Sequence, residues 1–363
     1  MSAPPSPADH RRAELLRIAS RTFAVGIERL PARLREPVQT AYLLLRVSDY
    51  LEDSETLPEV RKVALLRAWA DALDAEAPSR PTSHPGASPD PGAVFEAAAA
   101  GASSAPGPAA SDFGTLLGAV DEETPDAAVA REYALVLQAL RALPEPRRGI
   151  VQRHVGDTTR GMARWVERGP DFEDEADLDD YMHEVAGRVG WLLTDLFAAE
   201  SAEVATDRAR MNDLGRSFGL GLQTVNVLRG LHQDHHRGWL YVPRTWLRDA
   251  GLSGPELFEP AYRQQALAVL ERLTSKAARH LDDAVHYTLA LPRRLHGVRV
   301  FCALPLFFAL RTLALTRSNP DVFTREVKMT RPEVARIVAR TQLLAWSNTW
   351  VRGAAARLSR PGR

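Results

Sequence analysis

YLLLRVSDYLEDS (42–54) carries an apolar helix face straight into three carboxylates. Over 36–53, EPVQTAYLLLRVSDYLED, the residues Val38, Ala41, Leu44, Leu45 and Val47 recur at helical spacing and mark a buried side. Asp49, Glu52 and Asp53 follow at i, i+3 and i+4, so a helix stacks all three on one face within about a turn. Two readings of that stack compete. A charge run at a helix end is ordinarily a solvated face. Here the carboxylates continue the face of YLLLRV, which directs them into a cavity, where crowded negative charge requires cations.

Outward from this helix the chain keeps the same period. Leu15, Leu16, Ile18, Ala19 and Phe23 have helical spacing in a segment that Asp9 is placed to cap, behind a Pro/Ser-rich tail at 1–8. Helical patterns resume at 113–142, 145–168, 176–200, 203–235, 259–290, 296–317 and 330–357, with Pro or Gly at most joints. Strand-like alternation is scarce and no internal repeat is present. Between the helical stretches, 77–111 is rich in Pro, Gly, Ser and Ala and nearly devoid of large apolar residues, the composition of a flexible surface loop. The expectation is an all-α single domain over 1–363 with one flexible insertion at about 77–111.

With 363 residues, 45% of them hydrophobic and 25% charged, the chain can bury a large core, which excludes a wholly disordered or disulfide-stapled protein. Lys+Arg 46 against Asp+Glu 46 gives no overall field for nucleic acid or an anionic bilayer, so anion binding must be local. Cys302 is the only cysteine, so no intrachain disulfide and no multi-Cys metal site can form, and a reducing cytoplasm is the simplest setting. The N-terminus lacks the apolar stretch of a signal peptide, and the best candidate span, 301–315, is interrupted by Pro305 and Arg311. A soluble cytoplasmic protein is expected, with no nucleic acid partner, no membrane span and at most peripheral membrane contact.

Hard carboxylate oxygens without His or Cys favour Mg²⁺, which keeps waters and is completed by phosphate oxygens. The ligand this implies is a diphosphate. A second polar cluster, NVLRGLHQDHHRG (226–238), spaces Asn226, Arg229, Gln233, Asp234 and Arg237 so that several share a helix face. Its guanidinium groups suit the other side of a metal–diphosphate complex. His232, His235 and His236 have a zinc-compatible spacing, but no Glu of an HExxH pattern accompanies them, and a solvated helix terminus is the simpler reading.

Taken together, these stretches resemble the squalene/phytoene synthase family over most of the chain, its squalene synthase branch more than its phytoene branch. SRTFAVGIERLP (20–31) is similar to the family's Ser-Arg-Ser-Phe opening, and YLLLRVSDYLEDS to its first aspartate-rich motif. RGMARWVE (160–167) is similar to the family's Gly-Met helix and YMHEVAGRVGWLLTDLF (181–197) to its Val-Ala-Gly-x-Val-Gly helix. LGLQTVNVLRGLHQDHHRGWLYVP (220–243) resembles the second aspartate-rich region, and FCALPLFFALRTLAL with NPDVFTREVK (301–328) a squalene synthase block. The resemblance implies an isoprenoid synthase helical bundle around a central apolar cavity, Mg²⁺ as cofactor and an allylic prenyl diphosphate as substrate. Carried over residue by residue, it makes Asp49, Glu52, Asp53 and Asp234 metal ligands, Asp49 and Asp53 acting catalytically. It also sets Ser20, Arg21, Arg46, Asn226, Arg229 and Lys328 against phosphates.

Departures from the family pattern bear on which reaction runs. Gly230 stands where relatives carry the first Asp of the second motif, leaving Asp234, with Gln233 in place of the acid beside it. Glu184 aligns with a family Tyr, so a catalytic carboxylate with a raised pKa is expected in the cavity wall, orienting or deprotonating an acceptor. Thr330 in VKMTR replaces an Arg, which weakens the case for NADPH, and the chain ends at LSRPGR without the anchor of eukaryotic squalene synthases. The expectation is a Mg-dependent prenyltransferase that joins one allylic chain to a non-prenyl, aromatic or quinone-like small-molecule acceptor. The alternative is head-to-head condensation of two prenyl diphosphates to presqualene diphosphate, squalene or dehydrosqualene. A catalytically dead binding subunit is the third reading, and it leaves the intact first motif unexplained.

Overall fold

The computed structural model describes residues 6–76 and 108–360, and over these the chain is helical with no strand. Residues 77–107 of the expected insertion lie outside the described residues, and its last part, 108–111, already belongs to the helix Pro108–Leu117. Local chemistry sets the helix ends. Ser6, not Asp9, caps the first helix, Pro7–Ala19: its hydroxyl accepts from the Asp9 N–H while the Asp9 carboxylate accepts back from the Ser6 N–H. Ser20 caps Arg21–Glu28 in turn, accepting from the Phe23 N–H. The helix Ala32–Asp53 buries Val38, Ala41, Leu44, Val47 and Leu51. Beyond it the chain turns at Ser54, where Ser54 donates to Glu122 and Thr56 donates to the same carboxylate at 2.7 Å.

One close helix crossing decides where a site can form. Glu175–Met182 runs through a single π-helical turn, His183–Gly187, into Arg188–Glu200. This composite helix lies on Arg208–His236 at a separation only glycine allows. A Cβ on Gly190 would stand 1.9 Å from the Gly215 carbonyl oxygen, and one on Gly219 2.3 Å from that of Ala186. That contact is the physical content of the VAGRVG motif (185–190). On its other side Arg208–His236 packs most extensively on Arg263–Ala290.

The helix His296–Thr316 fills the middle of the bundle. It is the one described helix long and apolar enough to cross a membrane, yet 78% of that stretch is buried by the rest of the fold. Near its start the fully buried Arg299 donates to the carbonyls of Thr288 at 2.9 Å, Leu291 at 2.7 Å and Ala345 at 2.7 Å, and to Asn348 Oδ1 at 2.7 Å. These bonds satisfy a guanidinium that could not otherwise be buried. They also fasten the last two helices, Arg331–Leu344 and Asn348–Leu358, to the core.

Candidate active site

Asp49, Glu52 and Asp53 occupy the end of Ala32–Asp53, and Asp234 the last turn of Arg208–His236. Burial raises Asp49 to about 7 against the pull of Arg46. It raises Asp234 to about 6 against Arg237, with Asp53 pushing the same way. Glu52 and Asp53 are raised by burial too, and Asp53 and Asp49 drive Glu52 further up. Asp126, an acid that the sequence did not single out, joins the group: it starts the helix Pro125–Arg131 and is likewise raised by burial.

The cations that face these acids are divided among several partners. Arg46 divides between Asp49 at 2.8 Å and Asp126 at 3.5 Å and sits 5.0 Å over the Tyr42 ring. Lys62 donates to the Glu52 carbonyl at 2.7 Å rather than to a carboxylate. Arg237 lies 3.8 Å from Asp234 and 3.6 Å from Glu55, and Arg229 lies 3.4 Å from Glu326. The result is a mouth of crowded, half-buried to exposed hard oxygens only partly neutralised by the cations around them, a donor set whose chemistry fits Mg²⁺. Among the described residues no three acidic, His or Cys side chains already converge at metal-ligand spacing. Like charges with no cation between them stand apart.

Next to Asp49 lies a largely apolar cavity of about 220 Å³, walled by Leu45, Val185, Val189, Phe218, Phe301 and Cys302. A second lobe of about 390 Å³ opens beside it, bounded by Ser20, Arg229, Phe308, Met329 and Val334. Phe23, Tyr42, Arg46, Leu222, Asn226 and Pro305 line both, and so form the neck between them.

The remaining expected residues fall into place unevenly. Ser20 lines the second lobe but its hydroxyl already caps a helix, and the side chain of Arg21 lies outside the described residues. Arg46 and Asn226 stand at the neck, Asn226 donating to Gln223 Oε1 at 3.4 Å. Lys328 meets Glu326 at 2.6 Å, so this one carboxylate, unflagged in the sequence, gathers Lys328 and Arg229. Gly230 lies close under Asp234, a Cβ there standing 3.2 Å from Asp234 Oδ2, so that this carboxylate would have to shift slightly to admit one. The histidines are partly packed rather than fully solvated: His235 stacks on Phe258 and His232 Nδ1 lies 3.1 Å from the Phe323 carbonyl oxygen.

Glu184 corrects an expectation. It is buried, but it does not line the cavity, which its neighbours Val185, Ala186 and Val189 do. Its carboxylate lies against Gly161 and accepts from Arg188 Nε at 2.5 Å and Nη2 at 3.1 Å and from Arg164 at 3.3 Å. An arginine one turn along the same helix and another across the helix crossing claim it, so it is structural. A different phenol, Tyr181, stands three residues earlier. The Tyr181 hydroxyl lies 3.5 Å from Glu52 Oε1 and 3.3 Å from the Tyr241 hydroxyl, the two rings stacked at 5.3 Å. Burial, and then Glu52, push both phenols well above the usual range and keep them protonated donors. Tyr181 was legible as the first residue of YMHEVAG, and Tyr241 as part of WLYVP.

Residues 16–333 match the family model for squalene/phytoene synthase. A squalene synthase of Schizosaccharomyces pombe is 30% identical over 339 residues, covering 92% of this chain and 65% of its own length. A probable squalene synthase of Neurospora crassa is 27% identical over 329 residues, covering 89% and 60%. A squalene synthase of Nicotiana benthamiana is 28% identical over 357 residues, covering 94% and 72%. The chain thus spans just under two thirds of the length of the two fungal relatives. In fold it is similar to TcSQS in a ligand complex, with a TM-score of 0.74, 24% identity and coverage of 96% of this chain and 90% of the other. It is also similar in fold to a ligand-bound dehydrosqualene synthase, with a TM-score of 0.61, 17% identity and coverage of 95% and 96%.

Proposed function

Because this chain belongs to the squalene/phytoene synthase family, we propose that it joins two allylic prenyl diphosphates head to head, one chain in each lobe. The observation that carries the reading is the neck: two lobes meet at Arg46 and Asn226 beside a cluster of half-buried and exposed acids that outnumber the cations facing them. The non-prenyl acceptor finds no support in the relatives, which are squalene synthases by name. One of its two premises is gone as well, since Glu184 is ion-paired away from the cavity. Gly230, the other premise, bears on how firmly the second acidic region holds metal.

Asp49, Glu52, Asp53 and Asp234 would hold the Mg²⁺ ions. A divalent metal bound there supplies the positive charge that neutralises pyrophosphate as it leaves. Arg46, Asn226, Arg229 and Lys328 orient the phosphates, the last two positioned by Glu326. The apolar walls exclude water, so that the allylic carbon meets a double bond instead of solvent. Tyr181 presents a protonated hydroxyl beside Glu52 at the mouth.

Incubating the full chain with farnesyl diphosphate and Mg²⁺, with and without NADPH, and weighing the extracted product tests this. A product built from two farnesyl chains, with no third substrate, is expected. Coupled product that forms only when an aromatic acceptor is added would overturn the reading, and absence of Mg²⁺-dependent pyrophosphate release would point to the dead subunit.

A further inference from the structure

We propose that the C-terminal helix pair is a peripheral docking surface for an anionic lipid bilayer. The helices Arg331–Leu344 and Asn348–Leu358, joined by a short turn, form a splayed hairpin whose two arms pack on His296–Thr316 rather than on each other. Arg311 meets Glu333 of the first at 3.0 Å and the Arg360 carbonyl beyond the second at 3.5 Å, while Arg299 binds the turn at Ala345 and Asn348.

In a chain with balanced charge, residues 331–360 hold Arg331, Arg336, Arg340, Arg352, Arg357 and Arg360 against the single acid Glu333. That acid is committed: it accepts from the Thr330 hydroxyl at 2.9 Å and from Arg311 Nε at 3.0 Å. Arg336, Arg340, Arg352 and Arg357 are exposed, and no carboxylate among the described residues lies within ion-pair distance of them. The hairpin is therefore a local basic field on a neutral protein.

The same surface is apolar where a polyanion would need it polar. Arg336, Arg340 and Leu343 fall at i, i+4 and i+7, one stripe of the first helix, and Leu343 is 71% exposed. Trp346 in the turn is 51% exposed. Between the helices a cavity of about 200 Å³ has Phe307, Ile337 and Trp350 in its walls beside Arg336, Arg340 and Arg357. Arginines beside apolar walls suit a molecule with an anionic head and a hydrocarbon tail, and an exposed Trp and Leu suit the interface of a bilayer. Nucleic acid would use the charge and leave the apolar groups in water. The one helix apolar enough to span is buried in the core, so membrane contact by the described residues is peripheral. Val334 of this hairpin also lines the second lobe, so docking would bring that lobe's wall to the lipid. The docking itself does not depend on the proposed reaction.

Co-sedimentation of the full chain with vesicles of phosphatidylcholine alone, and of phosphatidylcholine mixed with phosphatidylglycerol, tests the proposal. Binding to the mixed vesicles only, weakening as salt rises, is expected. R336E/R340E/R357E should lose binding about tenfold or more, L343S/W346S should lose the part that survives raised salt, and R67E/R210E, a reversal of two exposed, ion-paired arginines elsewhere, should bind as wild type. Should the triple reversal melt early, R336Q/R340Q carries the test. Four results would each overturn the proposal: equal pelleting with both vesicle types, no binding at low salt, binding untouched by the hairpin variants, or an arginine-dependent dimer in light scattering without vesicle binding.

Discussion

Asp195 and Asp49 are both aspartates turned inward from long helices, and they end at opposite ends of the carboxylate range. Burial pushes Asp195 up, but hydrogen bonds from His154 at 2.9 Å and Arg208 at 2.8 Å more than offset it, and the group rests at about 2. Arg153 adds a third contact at 3.0 Å. Glu184, too, has cations of its own, accepting hydrogen bonds from Arg188 and Arg164. At the mouth, burial wins: Asp49 rises to about 7 because its one close cation is shared with Asp126. A buried carboxylate with its own cations is part of the framework; one without them is a place where a cation from outside can bind.

The largest effect that can break this contrast is on turnover. Asp49→Asn and Asp53→Asn should each cut pyrophosphate release by roughly a thousandfold, equivalent to about 4 kcal/mol on the ionisation barrier. In metal-free buffer Asp53→Asn should melt higher than wild type, since it deletes a crowded charge, while Asp49→Asn, which also leaves Arg46 to Asp126 alone, should change little. Near wild-type release from either variant would remove the metal assignment. The framework acids should do the reverse. Glu184→Gln and Asp195→Asn should each cost roughly 1–3 kcal/mol of stability by giving up charge-assisted hydrogen bonds from arginines that are themselves partly exposed, seen as a lower melting temperature. Activity per folded molecule should stay within about tenfold of wild type.

Much of this layout was legible. The apolar stripe Val38, Ala41, Leu44 and Val47 did bury, and of the three acids that follow it Asp49 lines the cavity while Glu52 and Asp53 stand outside its lining, Asp53 exposed. What sequence could not supply was pairing across helices. Glu184 looked like a cavity acid because it aligns with a family Tyr, and only the crossing with Arg147–Arg168 reveals Gly161 and Arg164 against it. Asp126 lies in no motif, and Glu326 was not singled out within NPDVFTREVK; their roles come from facing Arg46 and Arg229 in space. The glycines of VAGRVG were noticed as a pattern, but their reason, a helix crossing that tolerates no Cβ, appears only in three dimensions.

A smaller effect sharpens the contrast through pH. Groups raised by folding, Asp234 to about 6 and Asp49 to about 7, contribute stability that is whole below their ordinary values near 4 and lost as pH rises through 6 and 7. Asp195, held at about 2, contributes stability that is present above about 4 and lost only as pH falls toward 2. With a chelator present, the melting temperature should therefore fall by a few degrees between about pH 5 and pH 7.5. Mg²⁺ with pyrophosphate should flatten or reverse that slope, because the ligands must deprotonate to bind. A chelated protein with a level profile over this range would show that the mouth is already neutralised by Arg46, Lys62 and Arg237.

The smallest effect tests whether the mouth can be pushed further from balance. Gly230→Asp would place another carboxylate one helical turn from Asp234, where the nearest obstacle to a Cβ is the movable Asp234 Oδ2 at 3.2 Å. Two terms act on metal-free stability. Replacing glycine in a helix interior gains up to about 1 kcal/mol with alanine and about half of that with aspartate. The new charge opposes this gain, since it joins Asp234 and Asp53, both already raised by burial. Gly230→Ala carries the first term alone, so the difference in melting temperature between the two variants isolates the charge. Gly230→Ala should melt higher than wild type and Gly230→Asp lower than Gly230→Ala by a degree or two, on the order of 0.5–1 kcal/mol. The same aspartate should lower the Mg²⁺ concentration needed for half-maximal pyrophosphate release by a few-fold, because it supplies the oxygen donors that Gly230 lacks. If Gly230→Asp matches Gly230→Ala in both melting and Mg²⁺ demand, position 230 faces away from the metal, and the second acidic region binds through Asp234 alone.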